Sequence, residues 1–435
     1  MRLAGTKLAA NHQYRGFGDQ LYDLSGQRPS LDLNFSSTKS LVDATTGQNL
    51  VTFTRASSGT YVDSQGVIRT ATTNEARFDH NPTTGESLGL LVEESRTNLL
   101  LQSNGFDTTW INSNSSETAA AGIAPDGTNA AWELKDTLDA SPVAHSLNQT
   151  ITSFTSGTVY TFSVWMKAGT LSEGGIALPS ASFGAVLINR INLATGTVIT
   201  SSANLTTSVV LFPNGWRRII ASATATATAS GSVQVRSMNG GTTYTGTGTG
   251  TVLVWGAQVE AGAFPTSYIP TTTATATRSA DVASITGTNF SSWYRQDEGT
   301  VFYDGQVSGS ESGNKNILGM SSGSGNNIID LFIPSGINQR FRVSEGGVTQ
   351  ALQNAIPTAS VYSPAKVAYA FKLDDSTSAG NGTVQSTDTS CTIPTVDRFT
   401  FGALATGEAQ VAARFKRLTY WPKRLSNTTL QQITQ

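Results

Sequence analysis

The run VYTFSVWMKAG at residues 159–169 alternates Tyr160, Phe162, Val164 and Met166 with Thr161, Ser163, Trp165 and Lys167, and stops at Gly169. Successive side chains on an extended chain point to opposite faces, so a period of two describes a half-buried strand and not a helix. The same rhythm recurs along most of the chain. Short Val, Ile, Thr and aromatic runs at 185–191, 198–200, 216–221, 232–237 and 251–259 are separated by turn signals such as Asn214-Gly215 and Gly240-Gly241. Antiparallel strands at that spacing build a sandwich. A second set follows at 281–285, 299–303, 316–320, 328–333, 339–343, 366–372, 398–402 and 412–421, with Ser426 placed to cap a short final helix. The repetitive ATATATA at 223–229 also alternates and is expected as an edge or flat strand. Trp165, Trp216 and Trp255 sit mid-strand, where core packing is the expectation.

At 435 residues the chain has room for two or three domains. Charged residues make up only 13% of it, about half the usual share. They are concentrated in residues 53–101, which carry Arg55, Arg69, Arg77 and Arg96 with Glu75, Glu86, Glu93 and Glu94. Within that stretch, residues 60–62 and 67–69 read as a hairpin around Asp63-Ser64-Gln65-Gly66, and residues 88–92 read as a buried strand. Glu93-Glu94 is not a catalytic acid pair, because adjacent strand residues face opposite ways and cannot flank one bond. Arg55, Arg77, Arg96, Glu75, Glu93 and Glu94 are instead expected to form structural ion pairs in a small β junction domain. SLDLNFSS, at 30–37, supplies a strand ahead of it with Leu31, Leu33 and Phe35 on one face.

The blocks FTRASSGTYVD, GVI, NEARFDH and GESLGLLVEESRTNLL in this stretch are similar to a segment that recurs in tailed-phage virion proteins, ahead of carbohydrate-binding-module-like or laminin-G/concanavalin-like β-sandwiches. No catalytic residue accompanies that segment. NLLLQSNGFDTTWI, YTFSVWMKAGT, NGWRRI and VWGAQVEAGAFPTSYIPT resemble jelly-roll carbohydrate-binding modules, and RFKRLTYWPKRLSNTTLQQIT resembles the end of a concanavalin-like sandwich. The expected organisation is all-β: an anchoring arm at 1–30, the junction domain at 31–101, a jelly-roll sandwich at 102–270, a linker at 271–280 and a concanavalin/laminin-G-like sandwich at 281–435.

Other chemistries find little support. A net charge of -2 offers no basic field for a phosphate backbone, so nucleic acid is not an expected partner. The single cysteine, Cys391, excludes an intramolecular disulfide and reads as a small buried hydrophobe. No apolar run has the length of a membrane span, and the first residues lack a signal-peptide core. Gly319-Met320-Ser321-Ser322-Gly323 matches a nucleophile pattern, but no helix signal follows, and His12, His80 and His145 all precede the serine. The histidines and Cys391 are too scattered for a zinc cluster. No cofactor is expected, while calcium held by loop oxygens would leave little trace in a sequence.

Sugar stacking requires an exposed aromatic face with amides or carboxylates nearby. Trp110, Tyr244, Trp293 and Tyr294 are the least strand-like aromatics, so they are the candidate carbohydrate-binding residues. The expected function is that of a non-enzymatic structural component of a phage virion, either a tail or head fibre or a capsid decoration. Its N-terminal arm would dock on other virion proteins, and a homo-oligomer, first of all a trimer, would assemble in the host cytoplasm and stand on the particle surface. A glycan-binding host-receptor adhesin and a polysaccharide-degrading tail enzyme are the alternatives.

Overall fold

The computed structural model describes residues 20–309, 313–335, 338–357 and 360–435. Most of the expected arm, residues 1–19, lies outside them. The fold is all-β, and its sheets enclose two main cores.

One core belongs to the middle of the chain. Two six-stranded sheets enclose it. The first runs Thr206–Leu211, Trp216–Thr224, Val159–Ala168, Thr251–Ala261, Ala131–Asp136, Ser115–Gly122. The second runs Val198–Ser201, Leu187–Asn192, Glu173–Leu178, Ala229–Met238, His145–Phe154, Ile111–Ser113. Phe162, Val164 and Met166 point inward, as their alternation requires. Their neighbour Trp165 is also buried, on the outer face, where it packs with Trp216, Trp255, Phe212, Tyr268 and Ile68. The strand is therefore buried on both faces and not on one. ATATATA is not a strand either: Trp216–Thr224 ends within it and Ala229–Met238 begins at its last residue, so it carries the chain from one sheet to the other.

The other core is assembled from both ends of the chain. Its eight-stranded sheet runs Thr383–Val384, Thr377–Gly380, Ala365–Lys372, Glu298–Gly309, Ala412–Trp421, Ser87–Val92, Arg77–His80, with Leu31–Leu33 also paired to Ala412–Trp421. The facing seven-stranded sheet runs Thr52–Thr54, Val282–Thr286, Arg398–Phe401, Lys315–Ser321, Ile328–Ile333, Gln339–Glu345, Val348–Ile356. In register, Leu31 stands opposite Tyr420, Phe53 opposite Ala283 and Leu91 opposite Arg414. The separate junction domain expected at 31–101 is thus replaced by the N-terminal part of a split sandwich, and residues 99–270 form an insert within it. A run as apolar as Leu88–Val92 is the reason, because it needs cover on both faces and a two-stranded hairpin cannot give that.

Residues 271–280 are no free linker. Ala276–Arg278 pairs with Arg96–Asn98, and Arg278 is 1% exposed. The last part of the expected arm is docked too: Leu21, in the short helix Gln20–Ser25, packs with Trp421, Leu425, Leu430 and Ile433. Leu31–Leu33 stops before Phe35 because Asn34 caps a helical turn, accepting a 3.2 Å bond from the Ser37 amide. The final helix Asn427–Ile433 has its Ser426 cap, with the Thr429 amide donating at 3.1 Å.

Candidate functional site at the seam between the sandwiches

Of the four aromatic residues singled out for sugar stacking, Trp110, Tyr244 and Trp293 are buried and Tyr294 is half-buried. Trp110 is 5% exposed, lies 5.0 Å from the Phe106 ring and donates to the Gln102 carbonyl. Tyr244 is buried against His145 at 4.2 Å, and burial pushes its hydroxyl up to about 12. Trp293 packs on Phe290 and Tyr420 inside the split sandwich, and Tyr294 lies over Phe290 at 4.6 Å. Each contributes to packing. Gly or polar neighbours in sequence mark a turn, but do not reveal whether a ring leaves it inward or outward.

The charged stretch is spent on a different task. Arg77, fully buried, donates to Glu93 at 2.8 Å, to the Thr60 carbonyl at 2.8 Å and to Ser267 at 2.7 Å, and its other terminal nitrogen meets Asp281. Arg55 donates to the second Asp281 oxygen at 3.0 Å and to the Ser57 and Thr72 carbonyls at 2.9 and 2.8 Å. Arg278 lies 3.5 Å from Glu93 and donates to the Glu94 carbonyl at 2.7 Å. Glu93 also accepts the Ser267 amide and hydroxyl, at 2.8 and 2.7 Å. Burial alone would raise the Glu93 carboxyl, but Arg278, Arg77 and the Ser267 bonds outweigh it and hold it well below the usual carboxylate range. Burial also opposes the Arg77 charge, and Asp281 and Glu93 more than restore it.

Three parts of the chain meet in this network. Arg55, Arg77 and Glu93 come from the N-terminal part of the split sandwich, Ser267 from the end of the insert, and Arg278 and Asp281 from the return to the split sandwich. Sequence reading finds Arg55, Arg77 and Glu93 but not their partner Asp281, and it misses Arg278 by assigning it to a linker. Of the other residues, Arg96 pairs with Glu94 at 2.8 Å. Glu75 caps a turn, accepting the Thr72 amide and hydroxyl at 2.7 and 2.9 Å. A buried ion pair with one member removed leaves an uncompensated charge, so this cluster fixes the two sandwiches to each other and has no free acid for chemistry.

Beside the network opens a cleft of about 330 Å³. Its walls are the outer face of the insert's first sheet, the hairpin of Gly59–Val62 and Ile68–Ala71, and the outer face of the split sandwich's eight-stranded sheet at Ser308 and Arg414. Arg414 is held by Asp79 at 2.7 Å and by Ser308 at 2.6 Å. Arg218 lies over the Trp165 ring at 4.5 Å, donating to Ser163 and to the Thr266 carbonyl at 3.1 and 2.9 Å. Burial lowers its pKa to about 10 against the pull of Glu260, Glu93 and Asp79, so it stays a cation at neutral pH. Among the described residues no group of three or more His, Cys, Asp or Glu side chains is arranged to hold a metal ion.

No protein-family profile matches the chain, and no curated protein matches it. Solved structures are similar to part of it. The NanB sialidase from Streptococcus pneumoniae is 15% identical over 34% of this chain, with a TM-score of 0.29, and the match spans 26% of the sialidase's own length. The Ruminococcus gnavus IT-sialidase CBM40 bound to α2,3-sialyllactose is 18% identical over 32% of this chain and 84% of its own, with a TM-score of 0.28. The binding domain of Botulinum Neurotoxin DC in complex with SialylT is 11% identical over 35% of this chain and 38% of its own, also with a TM-score of 0.28.

Proposed function

We propose that this chain is a structural component of a tailed-phage virion that holds two β-sandwiches at a fixed relative orientation, displays them outward towards host-surface glycan, and performs no catalysis. The observation that carries a structural role is the engagement of the seam's two buried carboxylates: Glu93 and Asp281 are closed off by Arg55, Arg77 and Arg278. A glycosidase of the common kind needs a carboxyl free to exchange a proton with substrate, and these two are not free. The virion assignment draws on the resemblance of residues 53–101 to the recurring virion segment. In this reading the N-terminal residues attach to neighbouring virion proteins, and the chain works as a homo-oligomer, most simply a trimer, assembled in the host cytoplasm.

The test is placement. An antibody against residues 281–435 should decorate purified particles at a fixed position, and light scattering should give a mass three times that of one chain. Particles free of the protein, or capsule-degrading activity in the purified chain, would overturn the reading.

A further inference from the structure

We propose that the cleft between the insert and the split sandwich is a binding site for a small carboxylate-bearing sugar, with Arg218 as the residue that pairs with the ligand's carboxylate. Arg55, Arg77, Arg96, Arg278 and Arg414 each have a carboxylate partner at or near the seam. Arg218 lines the cleft and forms no ion pair among the described residues; its Nη2 donates only to the uncharged Ser163 hydroxyl and Thr266 carbonyl.

The surroundings narrow the class of ligand. Because Nη2 is already engaged with Ser163 and Thr266, the Arg218 cation would meet a carboxylate through a charge-assisted bond from its remaining terminal nitrogen. The same cleft carries the apolar rings of Tyr61, Phe212 and Phe264, the exposed Ser208 hydroxyl and the Ser308 hydroxyl. Rings beside hydroxyls suit a pyranose, which has apolar C–H faces and an equatorial rim of polar groups. A volume of about 330 Å³ sits at the small end of ligand pockets, enough for one or two sugar rings. Because Arg218 belongs to the insert and Arg414 to the split sandwich, a bound ligand touches both bodies. The inference needs only the fold, and it is decided on purified protein whether or not the chain sits on a particle.

Calorimetric titration of the full chain with glucuronate, glucose and inorganic phosphate tests it. Glucuronate should bind saturably, with a dissociation constant on the order of 1 mM or tighter, and glucose should not. Arg218→Gln should weaken glucuronate binding at least about tenfold, the worth of a charge-assisted pair, while Arg236→Gln, on the insert's other sheet, leaves it unchanged. Should Arg218→Gln fail to fold, Ser208→Glu decides: it adds a competing carboxylate from an exposed strand position and should abolish binding. No saturable binding of glucuronate, equal binding of glucose, equal competition by phosphate, or unchanged binding in the variant that folds would each overturn the proposal.

Discussion

Asp281 accepts a 3.0 Å hydrogen bond from Arg55 across 226 positions of sequence, and both side chains are fully buried. Its other oxygen takes Arg77 and the Glu93 amide, the latter at 2.8 Å. One carboxylate therefore ties the first part of the split sandwich to the second. Asp281→Ala leaves two guanidiniums buried without their counter-ion, and should destabilise the protein by about 3–5 kcal/mol. Denaturant unfolding monitored by circular dichroism measures it.

Acid should loosen the seam, and neutral or mildly alkaline pH should not. The folded Glu93 carboxyl lies well below its usual range, so its contribution is complete above the unfolded value of about 4.3 and is lost as pH falls through the folded one. Glu260 works in the opposite direction: burial raises it, so its charging opposes stability as pH rises from the unfolded value towards the folded one. Unfolding free energies between pH 3 and 7 should fall steeply at the acid end in the wild type and less steeply in Glu93→Gln.

The two halves of the split sandwich should fail apart and succeed together. Residues 281–435 alone lack Leu31–Leu33, Thr52–Thr54, Arg77–His80 and Ser87–Val92, so they should be insoluble. By contrast Asn98 and Ala276 are direct antiparallel partners, and an Asn-Gly turn joining them in place of residues 99–275 can close a hairpin. That shortened chain should remain soluble and β-rich by circular dichroism, at reduced stability.

Gly89 is a single-atom probe of the same joint. Its φ of +83° is a conformation other residues avoid, and a Cβ there would collide with the Phe415 carbonyl oxygen. Gly89→Ala should cost about 3 kcal/mol, read as a lowered melting temperature with amide exchange quickened along Ala412–Trp421.

Trp110→Ala and Trp293→Ala should each cost about 3–5 kcal/mol, the range for emptying a large buried site. Neither should alter glucuronate binding beyond what partial unfolding explains. Selective loss of binding at full stability would return these residues to the surface role first expected of them.

Sequence patterning locates most strands because alternation is a local property. Val159–Ala168, Ile328–Ile333 and Ala412–Trp421 all fall where the rhythm puts them. The splitting of the outer sandwich around the insert was not legible, since pairing Leu31 with Tyr420 leaves no local mark on either. The seam shows the same division. Arg55, Arg77 and Glu93 stand out in a chain poor in charge, whereas Asp281 follows the plain run TTTATATRSA and looks like one more polar turn residue. Arg218 offers only one hint, its place beside Arg217 in an otherwise apolar strand, where a cation facing a tryptophan-lined wall is out of keeping.

The insertion of one sandwich inside the other also sets an order of events during synthesis. Residues 99–270 can close as soon as they emerge, as domains generally do on the ribosome. Asp32, however, must wait for Thr419, its hydrogen-bond partner 387 positions later, and the strands around it stay without partners until then. A prematurely terminated product would carry a finished insert attached to sticky, unmated edges. Only a chain translated past Trp421 can complete the split sandwich.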